Sequence, residues 1–317
     1  MSNLKIPEKH FHLLLNTLAD KLFKNEGFRY VSKIKCDGNG PTDYTYEVGY
    51  DPNDLEFKDK VPEKVYFKEI DDSYDDNLFV CTKLLEVNKI IPDSTCSKID
   101  NEISGEKILG GGGIKINPQT IGITTLAVVF KDDLTDRLFG LTCSHGLRDE
   151  SPIFYSQKTK TKYKHIGKVY YKNPSTNMDY AIIEIFPNSI GDVNEGVLLY
   201  TNNDEIQQNI IHHKEGTPVR KYGVITQGTS GTIDSEDVSY KYKGKLLKGN
   251  YMVKGNSPCH FFADEGDSGS LVINDELKPV GIIVQIQANK SIVLPLINII
   301  EHINENTSQK IELIFNH

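Results

Sequence analysis

Hydrophobic positions along the 317-residue chain follow two periods. They recur at helical spacing near both ends of the chain, which predicts one helix at residues 7–25 and another at residues 295–304. Pro7 suits the first turn of the first helix, and Gly27 suits its end. We expect the apolar stripe of this helix to pack on the protein's own core rather than on a partner. The stripe consists of Phe11, Leu14, Leu15, Leu18, Leu22 and Phe23.

Between these helices the chain consists of short apolar runs rich in β-branched residues and separated by turn residues, which is typical of sandwiches and barrels. Strands are predicted at residues 44–48, 65–70, 124–130, 138–142, 153–155, 165–171, 179–185, 218–225, 231–233, 246–254, 271–273 and 280–287, with a strand or short helix at 78–87. The chain is therefore predicted to be mainly β. We expect a small N-terminal α+β region at residues 1–104 and a second domain at residues 105–317, joined through a glycine-rich linker.

The most specific chemical signal is the run Glu-Gly-Asp-Ser-Gly-Ser at residues 265–270, which leads directly into an apolar strand. A serine hydroxyl becomes an effective nucleophile when a base takes its proton and nearby N–H groups hold the resulting oxyanion. Glycines on both sides let the backbone bend, so that the N–H groups of Gly266 and Ser268 can converge on one point. Ser268 is thus a candidate nucleophile, with Gly266 and Ser268 as a candidate oxyanion hole.

Two other residues have settings that suit the same chemistry. His145 comes just after the return strand of a predicted hairpin at residues 124–142, and Asp179 stands at the start of another β-rich run. A carboxylate in that position can fix the tautomer and orientation of a histidine. Each residue alone also fits a plain structural role, as a surface histidine or a strand-capping acid. The chain order His145, Asp179, Ser268 is nevertheless one of the known orders of a catalytic triad.

The segments around these residues resemble the trypsin-like serine proteases of the chymotrypsin fold. Residues 142–145, Thr-Cys-Ser-His, are similar to the family's Thr-Ala-Ala-His segment, and residues 179–182, Asp-Tyr-Ala-Ile, to its Asp-Ile-Ala-Leu segment. Residues 266–269 are similar to its Gly-Asp-Ser-Gly motif.

A closer resemblance is to an intracellular plant and bacterial subgroup that includes the narrow-leaf proteins. Its glycine-rich entry resembles residues 110–114, and its Gly-x-x-Val-x-Lys-x-Gly and Thr-x-Gly-x-Val strands resemble residues 216–223 and 229–233. The resemblance spans roughly residues 105–305.

This resemblance implies two β-barrels with an active site between them, and a serine endopeptidase that acts on protein or peptide substrates without a metal or organic cofactor. In that reading Ser268 attacks the scissile carbonyl, His145 is the general base and Asp179 orients His145. The N–H groups of Gly266 and Ser268 would hold the oxyanion.

Three departures from the family pattern are visible. Ser270 stands where the family has the second glycine of Gly-Asp-Ser-Gly-Gly. Phe262, six residues before Ser268, replaces the acid that binds basic side chains, so we expect Phe262 to line the primary substrate pocket and to disfavour Arg or Lys. No cysteine follows His145 closely, so the disulfide common in secreted members is absent.

Several alternatives stay open. The fold could serve as a catalytically silent protein-binding module, or the triad could hydrolyse esters rather than peptides. Cys143 or Cys259 could act as a nucleophile, although adjacency of Cys259 to a histidine carries little information. Cleavage before Ile108 could free an amine that pairs with Asp267, as in trypsin-family zymogens, or this stretch could be a plain linker.

The composition of the chain indicates its cellular location and limits the classes of partner it can bind. The five cysteines are scattered and form no C-x-x-C pair, and the N-terminus leads into an amphipathic segment rather than a signal peptide. We therefore expect a reducing, intracellular location. No apolar run approaches the ~20 residues that span a bilayer, and a net charge of −8 argues against nucleic-acid binding. The acidic stretch at residues 71–76 lacks calcium-loop spacing, so we expect no metal site there.

Overall fold

The computed structural model describes residues 6–35, 44–54, 56–71, 73–74, 79–86, 111–119, 122–131, 137–148, 151–156, 163–173, 178–187, 211–242, 244–256, 261–287 and 290–306. The chain forms two compact units. Met1–Ile90 and Asp234–Met252 make the first, and Ile91–Ile233 and Val253–His317 make the second. The predicted boundary between residues 104 and 105 lies outside the described residues and stays a prediction.

The chain is mainly β, as predicted, with one helix near each end. The elements are α1 Glu8–Phe23, β1 Phe28–Lys35, β2 Tyr44–Tyr50, β3 Lys64–Tyr66, β4 Phe79–Glu86, β5 Gly113–Lys115, β6 Thr124–Thr125, β7 Val128–Lys131, β8 Leu138–Thr142, β9 Pro152–Ser156, β10 Lys164–Lys172, β11 Ala181–Ile185, β12 Pro218–Gly223, β13 Gln227–Tyr242, β14 Lys245–Gly255, β15 Leu271–Asn274, β16 Pro279–Gln287, β17 Lys290–Pro295 and α2 Leu296–Asn306, with 3₁₀ helices at Lys58–Lys60 and Phe67–Glu69. No helix in the described part of the chain combines the length and apolarity that crossing a membrane requires.

The first unit is an α+β layer in which α1 packs on a sheet of order β13-β1-β2-β4-β3. Strands β2 and β4 run parallel, whereas the pairs β13–β1, β1–β2 and β4–β3 are antiparallel. The apolar stripe of α1 is buried, with Leu14 and Leu15 fully inaccessible to solvent. It shares one core with sheet residues such as Val31 and Val48. The expectation that this stripe packs on the protein's own core is confirmed.

The second unit contains a barrel built from the strand order β6-β5-β9-β10-β11-β8-β7. Its two outer strands, β6 and β7, are separated in sequence by only Leu126 and Ala127. The Leu126 N–H donates to Gly112 O on the β5 side (2.9 Å), whereas the Ala127 N–H donates to Leu141 O on the β8 side (2.8 Å). Adjacent residues therefore join both edges, which removes the free edges of the sheet.

A second barrel closes by strand pairing alone. Its order is β12-β15-β16-β17-β14-β13, and β12 pairs with β13 to complete the ring. The closing pair is antiparallel and runs from Pro218 opposite Thr232 to Gly223 opposite Gln227. The predicted double β-barrel is thus present.

Truncation of the α1 stripe tests the core of the first unit. Replacing the buried side chain in Leu14→Ala removes apolar contacts and leaves a cavity, so we expect the free energy of unfolding to fall by about 2–5 kcal/mol. The neighbouring Leu13 side chain is 50% exposed, and Leu13→Ala is the matched control, with an expected change within about 0.5 kcal/mol. Chemical denaturation followed by circular dichroism measures both. Equal losses for the two variants would contradict the burial of this stripe.

Candidate active site

Strand pairing brings His145 and Asp179 to the same end of the first barrel. Strands β8 and β11 are antiparallel, with Thr142 opposite Ala181. His145 follows Thr142 by three residues, and Asp179 precedes Ala181 by two, so both leave the sheet at the same edge. Two residues that are 34 positions apart in sequence thereby become neighbours.

Asp179 is bound to the His145 segment through both carboxylate oxygens. Its Oδ2 lies 2.6 Å from His145 Nδ1, and its Oδ1 accepts hydrogen bonds from the Ser144 N–H (2.8 Å), the Ser144 hydroxyl (2.7 Å) and the His145 N–H (2.9 Å). Burial alone would raise the pKa of this carboxyl, but the hydrogen bonds from His145 and Ser144 outweigh burial and lower it. Asp179 is therefore an anion with a fixed orientation, and it fixes the imidazole in turn.

The other imidazole nitrogen of His145 faces a thiol. The Cys143 Sγ atom is fully buried, lies 3.8 Å from His145 Nε2, and lies 3.0 Å from the Thr124 hydroxyl. Burial lowers the pKa of His145, but the nearby Cys143 sulfur and the Asp179 carboxylate outweigh it and raise that pKa to about 11. The charged imidazolium is thus strongly stabilised at this position.

The turn that carries Ser268 depends on its two glycines. Gly266 and Gly269 have φ values of 105° and 92°, a region that side chains with a Cβ avoid. A Cβ on Gly269 would lie 2.2 Å from Thr125 O and 2.4 Å from the Thr142 hydroxyl. The turn therefore packs so closely on the first barrel that no side chain fits at this position. The same Cβ position is 3.3 Å from Cys143 N, which places the Ser268 turn against the strand end that leads to His145.

The structure therefore brings His145 and Asp179 into direct contact and sets the Ser268 turn against Cys143, two residues before His145. Among the hydrogen bonds of the described residues, none joins the Ser268 hydroxyl to His145. In the same described part of the chain, the N–H groups of Gly266 and Ser268 donate to no carbonyl, whereas the Asp267 N–H between them donates to Asp264 O (2.9 Å).

Sequence reasoning missed the partner of Asp267. The Lys221 ammonium lies 2.9 Å from Asp267 Oδ2, and both side chains have no solvent exposure. Backbone N–H groups of Ile225 (2.8 Å) and Asp264 (3.1 Å) and the hydroxyl of Thr226 (2.6 Å) also donate to this carboxylate. Burial lowers the pKa of Lys221, and Asp267 opposes that shift.

This buried pair bears on the zymogen hypothesis. The acid that would receive a new N-terminal amine already holds a lysine ammonium from β12. Ile108, the candidate new terminus, lies outside the described residues, as does Cys259. The only sequence signal for this ion pair was Lys221 itself, a charged residue in the largely buried strand β12.

Two further predicted features can be located. Phe262 is buried, its carbonyl accepts a hydrogen bond from the Thr229 hydroxyl (2.6 Å), and its ring lies under Gly231. Ser270 is also fully buried, and its hydroxyl has no hydrogen-bond partner within the residues that the structure describes. The described side chains form no cluster of three or more His, Cys, Asp or Glu residues suited to a metal ion.

Comparison with known proteins gives a sequence match over part of the chain. The profile of Peptidase family S64 matches residues 176–286, a region that contains Asp179 and Ser268 but not His145. No curated protein matches the chain. Among solved structures, Thermobifida fusca Protease A is 13% identical and covers 62% of this chain and 96% of its own, with a TM-score of 0.47.

Two other solved structures give similar values. The Nocardiopsis protease NAPase is 13% identical, covers 62% of this chain and 97% of its own, and has a TM-score of 0.47. Cellulomonas bogoriensis chymotrypsin is 15% identical, covers 62% of this chain and 95% of its own, and has a TM-score of 0.46.

The Cys143 contact predicts a shift in the titration of His145. In Cys143→Ala the sulfur no longer stabilises the imidazolium, so we expect the pKa of His145 to fall from its raised value of about 11. Long-range ¹H–¹⁵N NMR of the imidazole measures this directly, without a substrate. Cys81→Ala removes the other free thiol among the described cysteines and is the matched control. An unchanged titration in Cys143→Ala would contradict the contact.

The buried ion pair predicts an asymmetric response to mutation. Lys221→Met leaves Asp267 charged and without its cation, so we expect the free energy of unfolding to fall by about 3–5 kcal/mol. Adding Asp267→Asn should recover part of the loss, because no buried charge then remains unpaired. Lys278→Met breaks the more exposed pair with Glu276 and should change stability by less than about 1 kcal/mol. Thermal and urea unfolding distinguish these cases, and additive single losses would refute the pairing.

Proposed function

We propose that this chain is a serine endopeptidase that cleaves protein or peptide substrates with the triad Ser268, His145 and Asp179. The observation that carries the proposal is the 2.6 Å contact between Asp179 and His145 Nδ1, beside a glycine-bounded turn that presents Ser268. The match to Peptidase family S64 over residues 176–286 supports a peptidase activity.

The chemistry assigns one role to each group. The Ser268 hydroxyl attacks the scissile carbonyl while its proton moves to His145 Nε2, which gives a tetrahedral oxyanion held by the N–H groups of Gly266 and Ser268. His145 then returns the proton to the leaving amine, and the C–N bond breaks to leave an acyl-enzyme. Water, deprotonated by the same imidazole, releases the acid product and restores Ser268. Asp179 keeps the proton of His145 on Nδ1 throughout.

Two requirements follow from the geometry. The Ser268 hydroxyl has to reach His145 Nε2, which lies 3.8 Å from the Cys143 sulfur. The imidazole also has to be neutral to accept a proton, and its pKa of about 11 keeps it charged at neutral pH. We therefore expect activity to rise as the pH increases above the usual titration range of histidine. A substrate that displaces the Cys143 sulfur from His145 should lower the pKa of the imidazole and so favour its neutral form.

The primary pocket is assigned to the surroundings of Phe262. Its ring packs against Gly231, where a Cβ would lie only 2.8 Å away, and no carboxylate occupies its position. A pocket of this kind favours small or apolar side chains over Arg or Lys. Cleavage-site profiling with a peptide library reads this out directly.

The decisive experiment is covalent labelling with a fluorophosphonate probe, followed by mass spectrometry of the labelled peptide. We expect one adduct on Ser268, lost in Ser268→Ala and slowed by about 10³–10⁴-fold in Asp179→Asn, because the imidazole loses its orienting anion. Ser270→Ala removes the neighbouring hydroxyl and is the matched control that keeps the adduct.

The alternatives give different outcomes. A folded protein that takes no label in the native buffer range, up to pH 10, would be a binding module rather than an enzyme. Labelling on Ser268 with hydrolysis of esters and never of peptides would indicate an acyl hydrolase. An adduct on a cysteine would remove Ser268 from its role.

A further inference from the structure

Two adjacent threonines of strand β6 donate three hydrogen bonds to the Ser268 turn. The Thr125 N–H donates to Ser268 O (2.8 Å), and the Thr124 hydroxyl donates to the same oxygen (2.5 Å). The Thr125 hydroxyl donates to Gly266 O (2.8 Å). The carbonyl of Thr125 in turn accepts a hydrogen bond from the Thr142 hydroxyl (2.7 Å), which anchors β6 to β8.

These bonds fix the peptide planes of the turn. The plane after Gly266 is held at both ends, since its oxygen binds Thr125 and its N–H binds Asp264 O. The plane after Ser268 is also held at both ends, by the two threonines and by a bond from the Gly269 N–H to Ile283 O (2.7 Å). In a trans peptide the C=O and N–H point in opposite directions, so holding one group aims the other.

The plane between these two carries the N–H of Ser268. Its oxygen, Asp267 O, accepts from the Ser270 N–H (2.9 Å), and the Ser268 N–H therefore points to the opposite side. The three consecutive planes are thus determined by contacts, and the threonines supply the contacts that come from the first barrel. Thr124 and Thr125 are buried, with exposures of 4% and 0%, so water does not compete for these bonds.

We propose that Thr124 and Thr125 are positioning residues that hold the Ser268 turn in the conformation in which the N–H groups of Gly266 and Ser268 can bind an oxyanion. The catalytic part of this inference rests on the proposed function, whereas the conformational part does not. Thr124 also joins the turn to the base, because its hydroxyl lies 3.0 Å from the Cys143 sulfur that contacts His145. The Thr124 side chain therefore contacts both the Ser268 turn and the cysteine that contacts His145.

The test uses the full chain with Thr124→Val and Thr125→Val, which keep the shape and remove the hydroxyl. Thr124→Ser restores the hydroxyl, and Thr232→Val removes a threonine hydroxyl that binds Asn256 on an exposed strand position, as a control. Hydrogen–deuterium exchange of residues 261–270 measures the conformation of the turn, and hydrolysis of matched oxo- and thiono-esters measures the oxyanion hole. Sulfur accepts hydrogen bonds poorly, so a well-placed hole favours the oxo-ester.

We expect exchange in the turn to accelerate about 5-fold or more in both valine variants, since each loses a buried hydrogen bond worth about 1 kcal/mol or more. The oxo-ester rate should fall by about 10-fold while the thiono-ester rate changes less, and Thr124→Ser should recover most of both effects. Thr232→Val should leave both measurements unchanged.

The outcomes separate the two proposals. Unchanged exchange in the valine variants overturns the positioning role, whatever the activity. Accelerated exchange with an equal fall of the oxo- and thiono-ester rates also overturns it, because the threonines would then act on general stability alone. If exchange accelerates in the valine variants but the wild-type protein hydrolyses neither ester, the conformational role is supported and the hydrolase assignment is refuted instead.

Discussion

The buried ion pair between Lys221 and Asp267 is the constraint on which the candidate site depends. Asp267 lies between Gly266 and Ser268, so the direction of its side chain determines how the two flanking N–H groups are presented. Burying a carboxylate away from solvent is costly unless it is paired and hydrogen-bonded. Asp267 receives the Lys221 ammonium, the N–H groups of Ile225 and Asp264, and the Thr226 hydroxyl. The cost of burying these charges is offset only while the turn keeps the conformation in which they are paired.

Strand β6 likewise has two structural roles. Thr124 and Thr125 occupy the junction at which the first barrel closes, directly before Leu126 and Ala127, and they also contact the turn of the second barrel. Closure of one barrel and placement of the Ser268 turn are therefore not independent. A change that shifts the β6–β7 junction moves the turn as well, although no residue of the triad is altered.

Much of this arrangement was predictable from sequence, and the limits have physical causes. His145, Asp179 and Ser268 could be proposed from the sequence because each borders a recognisable apolar strand. The role of Lys221 depends on a contact with a residue 46 positions later, which no local pattern encodes.

Residues 124–130 were predicted as one strand because β-branched and apolar residues run through them, but barrel closure divides them into β6 and β7. Residues 65–70 were likewise predicted as one strand; the Glu69 carboxylate instead accepts from the Tyr66 N–H (3.3 Å) and stabilises a 3₁₀ turn at Phe67–Glu69. Strand β17 was not predicted at all.

The thiol beneath the imidazole has a practical consequence for how inhibitors of this protein are interpreted. Any mercurial or maleimide that reaches Cys143 places its bulk directly against His145 Nε2, because sulfur and nitrogen are already in contact. Under the proposed mechanism, such a reagent would block proton transfer to His145 without touching Ser268. Sensitivity to thiol reagents is therefore no sign of a cysteine hydrolase in this chain, and the mechanistic class has to be assigned from the mass of the modified peptide rather than from an inhibition profile.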